Sequence, residues 1–88
     1  MLELLQLIAR QNGADIEEDT LPFTNETSIN VNGWTIIYQP NVDDIIIEKQ
    51  LTCDTSVVFT VNALDFDTCK DEIVKLIVLY NLPIKLEG

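Results

Sequence analysis

Two short runs of alternating apolar and polar residues, separated by Asn32-Gly33, constrain the fold of this chain more than any other feature. The first run spans residues 27–31 and the second spans residues 34–39. Asn and Gly both tolerate positive φ, so this dipeptide between two such runs predicts a β-hairpin with a two-residue turn. That turn fixes the register and places the apolar side chains on one face. The predicted cross-strand pairs are Val31 with Trp34, Ile29 with Ile36, and Thr27 with Tyr38.

The remaining periodic segments predict two more strands and two helices. Residues 44–51 and 57–61 alternate as strands do, whereas residues 2–10 and 66–81 carry apolar residues at helical spacing. Gly13 is expected to end the first helix, and Asn81-Leu82-Pro83 the second. A chain of 88 residues fits one domain. We therefore predict a single α+β domain over residues 1–88. It would be a four-stranded antiparallel β-meander flanked by an N-terminal helix and a longer C-terminal helix, in the order α-β-β-β-β-α.

Charge restricts the possible partners. The chain has 15 acidic and 5 basic residues and a formal net charge of -10. The excess lies in residues 11–72, where the only basic residues are Lys49 and Lys70. Such a chain should be repelled by the phosphates of nucleic acids and by anionic membranes, and attracted by basic protein surfaces. The alternative is that the charge serves solubility alone.

The residues that usually carry catalysis are missing. The chain has no histidine, and its three glycines form no phosphate-binding loop. We therefore expect no enzyme, no cofactor and no metal. Cys53 and Cys69 are too few for a disulfide scaffold, which favours a cytoplasmic protein of a bacterium or an infected host cell. Cys69 lies on the apolar stripe of the second helix and is interpreted as a structural thiol, the alternative being a reactive one.

The far face of the predicted sheet offers an apolar surface. Ile37, Ile46 and Val58 each fall on that face of a different strand, and a meander would align them as a row with a polar rim. Such a row is typical of an interface. The alternative is that the N-terminal helix or the segment Leu21-Pro22-Phe23 covers it.

Acidic side chains offer a second surface. In a meander, the turn at 40–44 and the approach to the second helix at 62–67 leave the sheet at the same end. This arrangement is expected to cluster Asp43, Asp44, Asp65 and Asp67. A further acidic cluster in a predicted loop comprises Asp15, Glu17, Glu18 and Asp19. A solvated charged surface is the alternative to a docking patch.

Together these features predict a non-enzymatic protein-binding module. By analogy at the level of class, small acidic α+β proteins without catalytic groups include virus-encoded inhibitors that imitate DNA, and immunity proteins that block toxins. We expect a small acidic inhibitor or modulator that docks on a basic face of a nucleic-acid-binding protein or a toxin. The alternative is a structural or adaptor protein that self-associates, for example as a homodimer, through the outer sheet face or an edge strand.

Overall fold

A computed structural model describes residues 2–18 and 26–87 of the chain. The first helix, α1, spans Leu2–Asn12, and its apolar stripe is buried. Gly13 then takes a left-handed conformation with φ of 63°. The amide of Ala14 donates to the carbonyl of Ala9 at 2.9 Å, which closes the helix with a Schellman-type bond. The predicted stop at Gly13 is confirmed.

The central hairpin forms as its turn dipeptide predicts. Strand β2 spans Thr27–Val31 and β3 spans Trp34–Gln39. Asn32 and Gly33 have φ values of 50° and 88°, as a type I′ turn requires. The three predicted cross-strand pairs are all present in the antiparallel register. The register therefore follows from the turn, and it buries Ile29 and Ile36 on the same face.

Two more strands extend the hairpin into the predicted meander. Strand β4 spans Asp44–Gln50 and β5 spans Ser56–Asn62, and each pairs antiparallel with its predecessor in the chain. The α+β meander between two helices is confirmed, and the structure adds a fifth, short strand. This strand, β1, spans Ile16–Glu18 and pairs with β2 at the edge of the sheet, so the strand order is β1-β2-β3-β4-β5.

The prediction that Glu17 and Glu18 lie in a loop is wrong, because both belong to β1. Glutamate disfavours strands intrinsically, but pairing with β2 supplies backbone hydrogen bonds, and the side chain of Ile16 packs against the core. Tertiary pairing thus outweighs local propensity. Asp19, of the same predicted cluster, lies outside the described residues, as does Leu21-Pro22-Phe23.

Both helices pack on one face of the sheet, which we call the inner face. Helix α1 lies against β1, β2 and β3, whereas the second helix, α2 (Phe66–Tyr80), lies against β5. Their fully buried side chains meet those of the central strands. This core contains Leu4, Leu5, Ile8, Ile29, Ile36, Ile45, Ile47, Cys69 and Ile73. The opposite face of the sheet, the outer face, receives neither helix.

After α2 the chain turns back and closes one end of the core. Asn81 ends the helix with φ of 52°, and the amide of Leu82 donates to the carbonyl of Ile77 at 3.0 Å. Residues 82–87, here called the strap, then alternate between buried and exposed side chains. The buried ones are Leu82, Ile84 and Leu86. The strap runs past the β2–β3 turn, where Asn32 Nδ2 donates to the carbonyl of Pro83 at 2.8 Å, and reaches the end of α1.

Candidate functional site

The outer face combines carboxylates with neutral polar and apolar side chains. Strand alternation assigns to it Glu17, Asp44 and Glu48. Glu26 precedes β2, and its carboxylate accepts a hydrogen bond at 3.2 Å from the side chain of Gln39, which is on this face. Among the described residues no lysine or arginine takes a strand position on this face, because Lys49 alternates to the inner side. The Lys49 ammonium instead lies 5.9 Å from the centre of the Trp34 ring, a distance at which a cation–π contact forms. Among the described residues, the charged strand positions of the outer face are therefore all negative.

An apolar pair lies in the middle of this face. Ile37 and Ile46 are directly opposite each other on β3 and β4, and both are half-buried. Neutral polar residues surround them, including Ser28 and Thr60 in the same cross-strand row. A small apolar centre with a polar rim has the composition of a protein interface.

The prediction that Val58 continues the row of Ile37 and Ile46 is wrong. Val58 does lie on the outer face, but in a different cross-strand row. Thr60 lies opposite Ile46, and Val58 lies opposite Glu48, two positions further along the strand. The loop at 51–55 sets this register, and a shift by two residues keeps a side chain on its face while changing its neighbours. Val58 is 51% exposed and lies diagonal to Ile46, a relation in which Cα atoms are about 7–8 Å apart.

Helix α1 does not cover the outer face. Its buried side chains Leu4, Leu5 and Ile8 belong to the core on the inner face, so that the cover predicted from this helix is wrong. A helix with one apolar stripe can bury it against only one face of the sheet. The other predicted cover, Leu21-Pro22-Phe23, lies outside the described residues.

Acidic residues also gather at one end of the sheet, here called the acidic end. The amide of Ala63 donates to the carbonyl of Asp43 at 2.7 Å, which joins the β3–β4 turn to the segment that leads into α2. Asp44, paired with Asn62, and the first residues of α2 are therefore at this end, as the meander predicts. Glu18 pairs with Thr27, in the cross-strand row next to that of Asp44. Asp15 is exposed and precedes Ile16, which pairs with Ile29, so Asp15 lies away from the acidic end.

Asp65 has a structural role within the acidic end. Its carboxylate caps α2 by accepting hydrogen bonds from the hydroxyl of Thr68 at 2.6 Å and from the amide of Thr68 at 3.1 Å. These bonds favour the charged form and lower the pKa of Asp65 below its ordinary value. Asp67 follows in the first turn of the same helix and is exposed. A carboxylate there complements the helix dipole, so both residues have a local reason to be acidic.

The two cysteines differ in environment. The Cys69 side chain is fully buried, and this burial, together with the nearby charge of Glu72, raises the pKa of its thiol to about 11. It is therefore a neutral core residue at physiological pH. Cys53 is exposed in the β4–β5 loop and lines a pocket of about 370 Å³ beside the outer face. The other lining residues are Thr35, Glu48, Gln50, Asp54, Thr55 and Ser56, which extend the acidic and polar character of this face.

Within residues 2–18 and 26–87, no three cysteine, aspartate or glutamate side chains are grouped so that they could hold a metal ion. Neither of the two described helices has the length and apolar character needed to cross a membrane. Comparisons of the chain with protein-family models, with curated proteins and with solved structures found no match. The candidate site therefore rests on its own geometry.

Proposed function

We propose that this chain is a non-enzymatic protein-binding module that docks its outer face and acidic end on a basic surface of another protein. The observation that carries the proposal is the charge of the outer face. It holds four carboxylates around the pair Ile37–Ile46, and no basic side chain alternates to it among the described residues. We expect the partner to be a nucleic-acid-binding protein or a toxin, whose basic groove this module would block as an inhibitor or modulator.

Opposite charge and a small apolar centre make different contributions to such binding. Carboxylates on a uniform face attract a basic surface over several ångströms and raise the association rate. The half-buried isoleucines supply apolar contact once water is excluded, and Val58 adds a more exposed apolar side chain beside them. The sheet is rigid because backbone ladders hold every strand, so little ordering is needed when the complex forms.

The experiment starts with affinity capture of partners from lysate, followed by identification and calorimetry with the purified partner. Two double variants then share the same change in net charge. Asp44→Asn with Glu48→Gln removes two of the four carboxylates of the outer face, whereas Asp71→Asn with Glu72→Gln removes two exposed carboxylates of α2. We expect the first pair to weaken binding by about tenfold more than the second, because close charge pairs contribute on the order of 1.5 kcal/mol or more.

Salt provides the second measurement. Affinity should fall steeply between about 50 and 500 mM salt, because the Debye length shrinks from roughly 14 to 4 Å over that range. Equal losses in the two double variants would mean that only net charge matters, and an affinity independent of salt would mean that charge plays no part. Either result contradicts the proposal.

A further inference from the structure

The last strand of the sheet, β5, has one edge that no other described strand occupies. One edge of β5 pairs with β4, and no strand in the described part of the chain pairs with the other. The strand Ser56–Asn62 contains neither proline nor a charged residue. Proteins usually protect such edges with charges, proline or short strand length. The opposite edge of this sheet is protected in that way, because β1 has three residues and two of them are glutamates.

The hydrogen bonds at the two ends of β5 show which backbone groups face this edge. Ala63 donates to Asp43, and Leu51 donates to Thr55. Both pairs continue the β4–β5 register, in which hydrogen-bonded and non-hydrogen-bonded pairs alternate. Consequently residues 57, 59 and 61 direct their N–H and C=O groups to β4. The groups that face outward belong to Ser56, Val58, Thr60 and Asn62, and all four residues are exposed.

We propose that two copies of this chain pair through their β5 edges about a two-fold axis between the two Phe59 residues. In this antiparallel register Ser56 lies opposite Asn62 of the second copy, and Val58 lies opposite Thr60. Every outward-facing residue then meets an outward-facing residue, and the strands can exchange about eight hydrogen bonds. The two sheets become one, with both helical layers on one side and both outer faces on the other.

Charge repulsion between two copies is weaker when they pair through the β5 edges than when they stack their outer faces. Stacking two outer faces would bring their carboxylates close together, and these like charges repel each other. The antiparallel edge register instead places the acidic end of one copy beside the opposite end of the other. Seven strand residues separate the two acidic ends by about 20 Å, more than twice the Debye length of about 8 Å at physiological salt. The strand is thus self-complementary, as a two-fold interface requires.

The test is sedimentation equilibrium of the full chain from micromolar to millimolar concentration, with a reductant present because Cys53 is exposed. We expect a reversible monomer–dimer equilibrium that strengthens as salt rises, since salt screens the repulsion between two acidic chains. Partner binding under the proposed function has the opposite salt dependence, so failure of one proposal is distinguishable from failure of the other. A chain that stays monomeric at millimolar concentration overturns the inference.

Two double variants test the register. Val58→Lys with Thr60→Lys places like charges opposite each other across the two-fold axis. Val58→Lys with Thr60→Glu places opposite charges there. Both alter the same two exposed outer-face positions, and circular dichroism verifies that each variant folds. We expect the first variant to dimerise about tenfold more weakly than the second. Equal dimerisation of the two variants would show that β5 is not the interface and would overturn the proposal.

Discussion

Replacing Asn12 with alanine should detach the strap from the end of α1. The Nδ2 group of Asn12 donates to the carbonyl of Lys85 at 2.8 Å, and its Oδ1 accepts from the amide of Lys85 at 2.8 Å. The same Nδ2 group donates to the carbonyl of Ile8 at 2.7 Å. Alanine can form none of these bonds. Asn12 is the last residue of α1, so the gain in helix propensity on substitution is small.

The size of the effect follows from the two bonds to the strap. Each hydrogen bond contributes roughly 1 kcal/mol net, so the variant should lose about 2 kcal/mol of unfolding free energy. A domain of this size is stable by only about 4–13 kcal/mol, at about 0.05–0.15 kcal/mol per residue. One kcal/mol corresponds to about 4–8 °C in Tm for a domain of 60–100 residues, and we therefore expect Tm to fall by about 8–16 °C.

Thermal unfolding followed by circular dichroism measures the loss, and amide hydrogen exchange locates it. In the variant the amide of Lys85 should exchange faster. The amide of Glu87, which donates to Gln11 Oε1 at 2.7 Å, reports whether the rest of the strap stays attached. Gln6→Ala is the matched control, because Gln6 is exposed on the same helix. A variant that keeps both its Tm and the protection of Lys85 would refute the role assigned to Asn12.

Three further predictions concern single residues. Gly33→Ala should destabilise the chain by about 1–2 kcal/mol in urea unfolding, because φ of 88° is strained for alanine; an unchanged midpoint would contradict this. In the native state a thiol reagent should modify Cys53 only, because Cys69 is buried and neutral. Mass spectrometry counts the modified thiols, and modification of both cysteines would contradict this prediction. The carboxylate of Asp65 has a lowered pKa, so its contribution to stability is present above its ordinary value of 3.8 and is lost as pH falls through the folded-state pKa. Acid unfolding of Asp65→Asn should accordingly depend less on pH below about 4 than that of the unmodified chain, and identical profiles would contradict the capping role.

The elements that could be predicted from the sequence are those with local signals. Asn32-Gly33 determines a turn, and the turn determines the register of β2 with β3. Helix α2 begins at the cap Asp65 and ends at Asn81, and both residues act within one turn of their own position. Each signal acts over a few residues and agrees with the burial of the apolar side chains around it.

The missed elements depend on contacts between distant parts of the chain. Strand β1 is short and two of its residues are glutamates, so only its pairing with β2 shows that it is a strand. The strap alternates in burial as a strand does, but Pro83 argues against one. Besides its buried side chains and the bond from Asn32, the strap is attached by the side-chain amides of Gln11 and Asn12, which bond to backbone more than 70 residues away. An amide side chain at a helix end carries no local sign of that role.

The sequence predicts which face of the sheet carries the candidate site, but not which of its residues lie opposite each other on neighbouring strands. Alternation alone assigns Ile37, Ile46 and Val58 to one side of the sheet, and the structure keeps them there. Their spacing along that side depends on how many residues the 51–55 loop takes up, because each extra pair of residues shifts the partners without changing the face. Val58 therefore lies opposite Glu48 and not beside Ile46.

Both described helices pack on the inner face, so within residues 2–18 and 26–87 no helix covers the outer face, and the charge of that face decides what can dock there. A bare apolar face would stack on its own copies, because the burial of apolar area is non-directional. The carboxylates of Glu17, Glu26, Asp44 and Glu48 oppose such stacking and at the same time attract a basic surface. The edge of β5 has no such charge. The same fold therefore offers two surfaces with opposite preferences, an outer face for a basic partner and an edge for a second copy.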